Sequence, residues 1–154
     1  NKTASLFATA AESGAILSGA DEDIVSAMRT YGVNLGIGFQ LIDDILDIAS
    51  SKEKTGKPVG NDIGQGITTL PVLVYQKNNP QDDSVQRYFE KPEDLLQAND
   101  ILNRISTDSV VEECLDIAYK YKDKASQALE VLPNTTERDC LLDLLEYVFI
   151  DCRY

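Results

Sequence analysis

The sequence predicts an all-α protein, and three observations support this fold class. Apolar residues recur at helical spacing through nearly the whole chain, and no segment keeps up the alternation typical of a strand. Clusters of glycine, proline and asparagine divide the chain into helix-length segments. A composition of 43% hydrophobic and 26% charged residues over 154 positions is that of one globular domain with its own core. We therefore expect a multi-helix bundle, or part of one, without internal repeats.

The first third of the chain is expected to form two long helices. The segment Lys2–Leu17 is small and apolar in most positions, and a glycine within residues 18–20 ends it. Residues 21–23 are all acidic and favour the first turn of a second helix, where the helix dipole stabilises negative charge. That helix should run to about Ala49. From Tyr31 to Ile48 it is apolar or small on almost every face, which indicates a buried helix.

Turn and cap signals place the later helices beyond a loop over residues 50–66, which is rich in glycine. Proline suits the first turn of a helix, because the N–H that it lacks would have no partner there. Serine or asparagine followed three residues later by glutamate forms a capping box. Four further helices are expected on these signals: one opened by Thr69 and Pro71, one after Pro92, one capped by Ser109 with Glu112, and one capped by Asn134 with Glu137.

Charge and residue usage exclude several classes of function. The net charge of −12 argues against binding to nucleic acid or to anionic membranes, because phosphate contacts need clustered lysine and arginine. The chain has no histidine, which removes histidine triads and histidine-ligated zinc. Its three cysteines are widely spaced and fit reduced thiols, so we expect a cytoplasmic location. No apolar run approaches the roughly 20 residues of a membrane-spanning helix, so no integral membrane segment is expected.

The second helix carries three aspartates near its end, Asp43, Asp44 and Asp47. Two of them lie one turn apart on the same face. Partly burying like charges is costly unless something positive compensates, and no lysine or arginine lies within one helical turn. A Mg²⁺ ion that keeps waters and binds substrate phosphates would meet this need. The alternative is that the aspartates are solvated and bind nothing, as we expect for Asp82 and Asp83 after a proline turn.

The loop that follows contains the segment GKPVGNDIG at residues 56–64. It could fold back over the helix end and direct Lys57 at a metal-bound phosphate, because the lysine ammonium is a compact charge on a flexible stem. It is not a P-loop, since Gly-x-x-x-x-Gly-Lys-Ser/Thr is absent. The alternative is an ordinary exposed lysine.

Four segments occur in a fixed order: KTASL at residues 2–6, GFQLIDDILD at 38–47, GKPVGND at 56–62 and TLPVL at 69–73. In sequence and spacing they closely resemble the trans-isoprenyl diphosphate synthase family, and the second segment resembles that family's second aspartate-rich motif. The resemblance is specific over residues 1–75 and looser beyond. It implies that residues 1–154 are the carboxyl-terminal part of one all-helical polyprenyl synthase domain, an incomplete bundle of the isoprenoid synthase type.

The function that the resemblance implies is a Mg²⁺-dependent prenyltransferase. Such an enzyme condenses isopentenyl diphosphate with an allylic diphosphate to give a linear all-trans polyprenyl diphosphate, and Mg²⁺ assists ionisation of the allylic diphosphate. The resemblance also implies a homodimer. The site residues carried over by matching position are Asp43, Asp44 and Asp47 on Mg²⁺, Lys57 and Lys2 on the diphosphate, Thr3 and Gln40 facing the reacting carbons, and Phe39 beside the five-carbon substrate.

Two departures from the family pattern shape these expectations. The family's first aspartate-rich motif is absent, so we expect an amino-terminal half before Asn1 in the native protein and no activity from this chain alone. Many members also carry lysine where Ile67 stands, and Arg153 resembles a terminal basic residue of the family. Two other functions remain open. One is a non-catalytic helical subunit that stabilises an active prenyl synthase partner, and the other is an unrelated helical interaction module.

Overall fold

The computed structural model describes residues 2–49, 60–90 and 95–150, and these residues form helices and no strand. The all-α prediction is therefore confirmed over the described ranges. Within them no helix has the length and apolar character needed to cross a membrane. The helices are α1 (Lys2–Leu17), α2 (Glu22–Ala49), α3 (Asn61–Gly64), α4 (Leu70–Asn78), α5 (Ser84–Glu90), α6 (Leu95–Ile105), α7 (Asp108–Ala128) and α8 (Thr136–Ile150), with a 3₁₀ turn at Leu129–Val131.

The chain divides into two compact units, and α2 and α7 each contribute residues to both. The first unit contains α1, α2 as far as Ile42, α7 from Ile117 and α8. The second unit runs from Asp43 to Asp116 and contains the remaining helices. Each unit buries its own set of apolar side chains.

Small residues let α1 and α2 approach closely in the first unit. Ala4 and Ala8 of α1 are buried, and they face glycines of α2 one turn apart. A Cβ atom added at Gly32 would lie 2.5 Å from the carbonyl oxygen of Phe7, and one added at Gly36 would lie 2.7 Å from Cα of Ala4. No side chain fits at those distances, so the two backbones pack directly on each other.

The last helix, α8, is attached to α2 at two points of the same unit. The hydroxyl of Tyr31 donates a hydrogen bond of 2.9 Å to the carbonyl oxygen of Leu141. About two turns further along α2, Gly38 lies under the ring of Phe149, where an added Cβ would overlap Cζ of that ring. The Phe149 ring is 2% exposed and stacks on Tyr119 of α7, with ring centroids 6.0 Å apart. α8 therefore supports the turn of α2 that carries the GFQ segment.

In the second unit the side chains of α3 to α7 form the core. Ile63, Ile101 and Ile105 are almost fully buried, and so is Tyr88, whose hydroxyl donates to the carbonyl oxygen of Ile63 at 3.0 Å. This hydrogen bond satisfies the polar end of a buried tyrosine, as an interior position requires. It also fixes the short helix α3 on the unit's core.

Asp82 is a correction to the sequence analysis, which expected it to be solvent-facing and idle. Its Oδ2 accepts hydrogen bonds from the Tyr75 hydroxyl at 2.6 Å and from Arg104 at 3.2 Å, and its Oδ1 accepts the Ser84 N–H at 2.9 Å. Hydrogen bonds from Ser84 and Tyr75 hold the pKa of Asp82 well below its usual range. Asp82 thus joins α4, α5 and α6. Asp83 does face solvent, where it pairs with Arg87 at 2.7 Å.

The first two helices confirm their predicted bounds to within a residue. The loop predicted over residues 50–66 contains the helical turn α3, and the sequence analysis missed the short helix α5 altogether. The position of Pro92 lies outside the described residues.

Both predicted capping boxes are wrong in register by one or two residues. α7 begins at Asp108, and the carbonyl of Thr107 accepts the N–H of Val111 at 3.1 Å, so Ser109 lies inside the helix. α8 is capped by Thr135, whose Oγ1 accepts the Arg138 N–H at 3.4 Å, and not by Asn134. At each site, neighbouring residues have similar ability to cap a helix, so the sequence pattern alone does not determine at which residue the helix begins.

Candidate functional site

The acidic end of α2 combines buried isoleucines with aspartates that are exposed or half-buried. Ile45 and Ile48 are 1% and 4% exposed and fix the orientation of this part of the helix. Asp43 is exposed, and Asp44 and Asp47 are half-buried. The residue types therefore follow the helical period, with isoleucine inward and carboxylates outward.

Asp47 holds the start of α3. Its Oδ1 accepts the N–H of Asn61 at 3.2 Å, and its Oδ2 accepts the N–H of Asp62 at 3.1 Å. Its own carbonyl oxygen accepts the N–H of Gly60 at 2.8 Å. Three consecutive backbone N–H groups thus converge on one residue of α2.

Asp44 reaches the start of the next helix. Its Oδ2 accepts the N–H of Leu70, the first residue of α4, at 3.4 Å. The preceding residue, Thr69, occupies the N-cap position and is 7% exposed, but its side chain makes no capping hydrogen bond. Asp44 therefore supplies an acceptor to an N–H group that has no partner inside the helix.

A fourth carboxylate, that of Asp62, lies beside the three predicted ones. Burial raises the pKa of Asp62, and the negative charges of Asp47, Asp44 and Asp43 raise it further, in that order. Asp62 lies within the segment GKPVGND, and no role was predicted for it from the sequence. Its signal was its place fifteen residues after Asp47, in a segment that the resemblance already covered.

The four carboxylates fit a divalent cation bound with outside ligands. Their mutual repulsion, reported by the pKa of Asp62, is relieved by a positive charge. Among residues 2–49, 60–90 and 95–150, however, no three acidic or cysteine side chains converge closely enough to form a complete metal cage. Mg²⁺ suits such a partial set, because it binds one or two carboxylates and fills its shell with water and substrate phosphates. Asp43 and Asp44 are the residues that would hold it.

The first unit brings together two other predicted residues, Thr3 and Gln40. The hydroxyl of Thr3 donates a hydrogen bond of 3.1 Å to Oε1 of Gln40, and both residues are half-buried. Next to them the Phe39 ring is 42% exposed and lies 5.6 Å from the ring of Phe7. Lys2 is exposed at the start of α1. The close packing of α1 on α2 is what places Thr3 beside Gln40.

Lys57, predicted to contact the diphosphate, lies outside the described residues, as does Arg153. Ile67, which stands where many family members carry lysine, is 45% exposed. It supplies no charge at that position.

Comparison with solved structures defines the class of the fold. The chain superimposes on the polyprenyl synthase of Caulobacter crescentus, solved with calcium and isoprenyl diphosphate, with a TM-score of 0.85 at 35% identity over 96% of this chain. It superimposes on the heptaprenyl diphosphate synthase of Staphylococcus aureus with a TM-score of 0.88 at 31% identity over 97% of this chain. The fold is that of the all-α isoprenoid synthases.

Sequence comparison then gives the family. The family model described as polyprenyl synthetase matches residues 1–105. Component 2 of the heptaprenyl diphosphate synthase of Bacillus subtilis is 38% identical over 147 residues, which is 96% of this chain. The chain belongs to the polyprenyl synthetase family, and the predicted resemblance to trans-isoprenyl diphosphate synthases is confirmed. The chain spans 42% of the Bacillus subtilis relative, 46% of the Caulobacter crescentus protein and 47% of the Staphylococcus aureus protein.

Proposed function

We propose that this chain is the carboxyl-terminal half of a prenyltransferase. The enzyme condenses isopentenyl diphosphate with an allylic diphosphate to give a linear all-trans polyprenyl diphosphate. The observation that carries the proposal is the acidic end of α2, where three carboxylates lie close enough to that of Asp62 on α3 to raise its pKa, in a member of this family. The second aspartate-rich motif of the family is GFQLIDDILD at residues 38–47.

The carboxylates of Asp43 and Asp44 would hold Mg²⁺, and the ion would supply the positive charge that the diphosphate needs as its C–O bond breaks. Lys2 and Lys57 add positive charge to the same leaving group. No histidine is needed, because the departing diphosphate accepts the proton that is lost when the new double bond forms.

Thr3, Gln40 and Phe39 act at the carbon skeleton. The hydrogen bond from Thr3 leaves Oε1 of Gln40 with a fixed orientation, so the amide dipole is directed before substrate arrives. A preoriented oxygen stabilises the allylic cation without having to reorganise during the reaction. Phe39 provides an apolar surface that excludes water, which would otherwise quench the cation.

The remaining half of the bundle lies in sequence outside this chain. The chain spans less than half of its relatives, and α1 leaves Leu6 and Leu17 at 71% and 87% exposure. Apolar side chains exposed on this scale fit a helix face that further chain covers. The complete enzyme is a cytoplasmic homodimer, and this chain by itself is inactive because only part of the metal site can form.

A second function, that of a non-catalytic subunit, is favoured by one specific observation. The Bacillus subtilis relative is named as component 2 of its synthase, so at least one similar protein is one part of an enzyme. An intact aspartate-rich helix upstream would distinguish the two functions, since a subunit without catalysis has no need of a complete metal site.

The test is chain elongation by the complete protein. Isopentenyl and farnesyl diphosphates are supplied with Mg²⁺ or with a chelator, and Asp43→Ala is compared with Asp83→Ala. Asp83 is a matched control, because it also has an acidic neighbour in sequence but is 67% exposed and forms a surface ion pair with Arg87. Asp43→Ala should lower kcat about a hundredfold or more, and Asp83→Ala should change it little. A folded protein that elongates no allylic primer refutes the enzyme function and leaves the subunit function.

A further inference from the structure

Asp47 lies at the acidic end of α2, and both of its carboxylate oxygens already accept hydrogen bonds from backbone N–H groups. A carboxylate that only binds a metal ion would not need these contacts. We propose that Asp47 is a positioning residue, which anchors residues 60–62 to the end of α2 and so sets Asp62 beside Asp43 and Asp44. The proposal rests on the proposed function, since it concerns the metal-binding end of the same site.

The geometry at Asp47 is that of a helix cap supplied from a distance. The first N–H groups of any α-helix have no partner within it and are usually bound by the side chain of the N-cap residue. In α3 the N-cap is Gly60, which has no side chain to do this. Both carboxylate oxygens of Asp47 take over, one on the N–H of Asn61 at 3.2 Å and one on that of Asp62 at 3.1 Å.

The backbone at Gly60 is shaped for this contact. Its φ of 72° is in the left-handed region, which glycine adopts readily. With that turn, the Gly60 N–H donates to the carbonyl oxygen of Asp47 at 2.8 Å, while the next two N–H groups meet its carboxylate. The side of Gly60 away from the peptide turn is closed by Leu102, whose Cδ2 would lie 3.0 Å from an added Cβ. The anchor is thus packed as well as hydrogen-bonded.

The consequence for the site is the placement of Asp62. The N–H of Asp62 donates one of the two hydrogen bonds to the Asp47 carboxylate, and the negative charges of Asp43 and Asp44 act on the Asp62 carboxyl group. Asp47 therefore joins the two ends of the connection between α2 and α3. Lys57 lies on that connection in the sequence, three residues before Gly60.

The alternative is that the Asp47 carboxylate binds the metal ion directly. A carboxylate has about four lone-pair positions, and the two hydrogen bonds occupy two of them. An anchor should be present without any metal, whereas a ligand should matter only when metal is bound. The two roles are therefore separated by an experiment on metal-free protein.

Hydrogen–deuterium exchange of the complete protein, with chelator and without diphosphate, measures the anchor. We expect the peptide covering residues 60–66 to exchange roughly tenfold or more faster in Asp47→Ala than in the unchanged protein, because two hydrogen bonds are lost. Asp43→Ala is the matched control and should leave the exchange of this peptide unchanged. Asp47→Asn keeps one carbonyl acceptor and the same size, so the exchange rate of this peptide should lie between those of Asp47→Ala and the unchanged protein. Asp47→Asn replaces Asp47→Ala in the test if Asp47→Ala does not fold.

A second measurement is the affinity for inorganic diphosphate in the presence of Mg²⁺, determined by calorimetry. Asp43→Asn should weaken Mg²⁺-dependent binding of diphosphate at least about tenfold, since even the partners of a metal ligand matter by that much. Asp47→Asn should weaken it by less, because its amide oxygen still accepts a hydrogen bond from the anchored N–H groups. Unchanged exchange in Asp47→Ala overturns the proposal, and so does a loss in Asp47→Asn as large as that in Asp43→Asn. The two hypotheses can fail separately. If the protein elongates no primer but its hydrogen exchange still depends on Asp47, the enzyme function is refuted and the anchor is not.

Discussion

The close packing of α1 on α2 predicts that Gly32→Ala destabilises the protein, although alanine is the better helix former. The added Cβ would lie 2.5 Å from the carbonyl oxygen of Phe7 and 2.7 Å from Cα of Ala8. Ordinary contact begins at about 3.4 Å, so the carbonyl is about 0.9 Å too close. Both neighbours are backbone atoms that cannot rotate away, and the two helices must move apart.

The magnitude follows from two opposed effects. Overpacking of this kind costs about 1–3 kcal/mol, and replacing glycine by alanine within a helix recovers up to about 1 kcal/mol. We expect the free energy of unfolding to fall by about 1–2 kcal/mol. The movement also stretches the hydrogen bond of 3.1 Å between Thr3 and Gln40 towards the limit of about 3.5 Å at which it is lost.

Urea unfolding followed by circular dichroism measures the effect, with Gly14→Ala as the matched control. Gly14 is also a helical glycine, on α1, but nothing lies within 4 Å of an added Cβ. Gly14→Ala should therefore leave the midpoint unchanged or raise it. If both substitutions raise the midpoint equally, the direct contact between the backbones of α1 and α2 is refuted.

Two further predictions concern pH. Burial raises the pKa of Tyr31 to about 12, so its contribution to stability is complete below the unfolded value near 10 and is lost as the pH rises through 12. Tyr31→Phe should cost about 0.5–1.5 kcal/mol at neutral pH by removing the hydrogen bond to Leu141. It should also remove a tyrosine signal at 295 nm that appears as the pH rises through about 12. The pKa of Asp82 is lowered, so its stabilising effect is present above the unfolded value near 4 and is lost as the pH falls below it. Asp82→Asn should reduce the acid dependence of the unfolding midpoint below about pH 4, and an unchanged dependence would contradict the network of Tyr75, Asp82 and Arg104.

The sequence predicted those parts of the fold that repeat over several turns. α1 and α2 carry long apolar patterns and clear ends, and both form as expected, with Oδ1 of Asp21 accepting the N–H of Ile24 at 2.9 Å. α3 and α5 are only four and seven residues long, too short for a helical period to show. α3 exists because Asp47, thirteen positions before Gly60, supplies its cap, and local pattern holds no sign of such a partner.

The residue types of the candidate site could be predicted from the sequence, but the contacts between their side chains could be predicted only in part. Spacing along one helix predicted that Asp43 and Asp47 share a face, and the resemblance named Thr3 and Gln40, which the structure joins by a hydrogen bond. Asp82 was misjudged because the tyrosine and arginine that bind it lie on other helices. The use of Asp47 as a cap was missed for the same reason. Side-chain partners distant in sequence leave no periodic signal.

The contact between Gly38 and Phe149 links two positions far apart in the chain. Because the aromatic ring occupies the volume of the missing side chain, neither residue is free to change by itself. Among related proteins, a side chain at the position of Gly38 should occur together with a smaller residue at the position of Phe149. Swapping the helix that carries the acidic turn between such proteins would then succeed only if the last helix is exchanged with it.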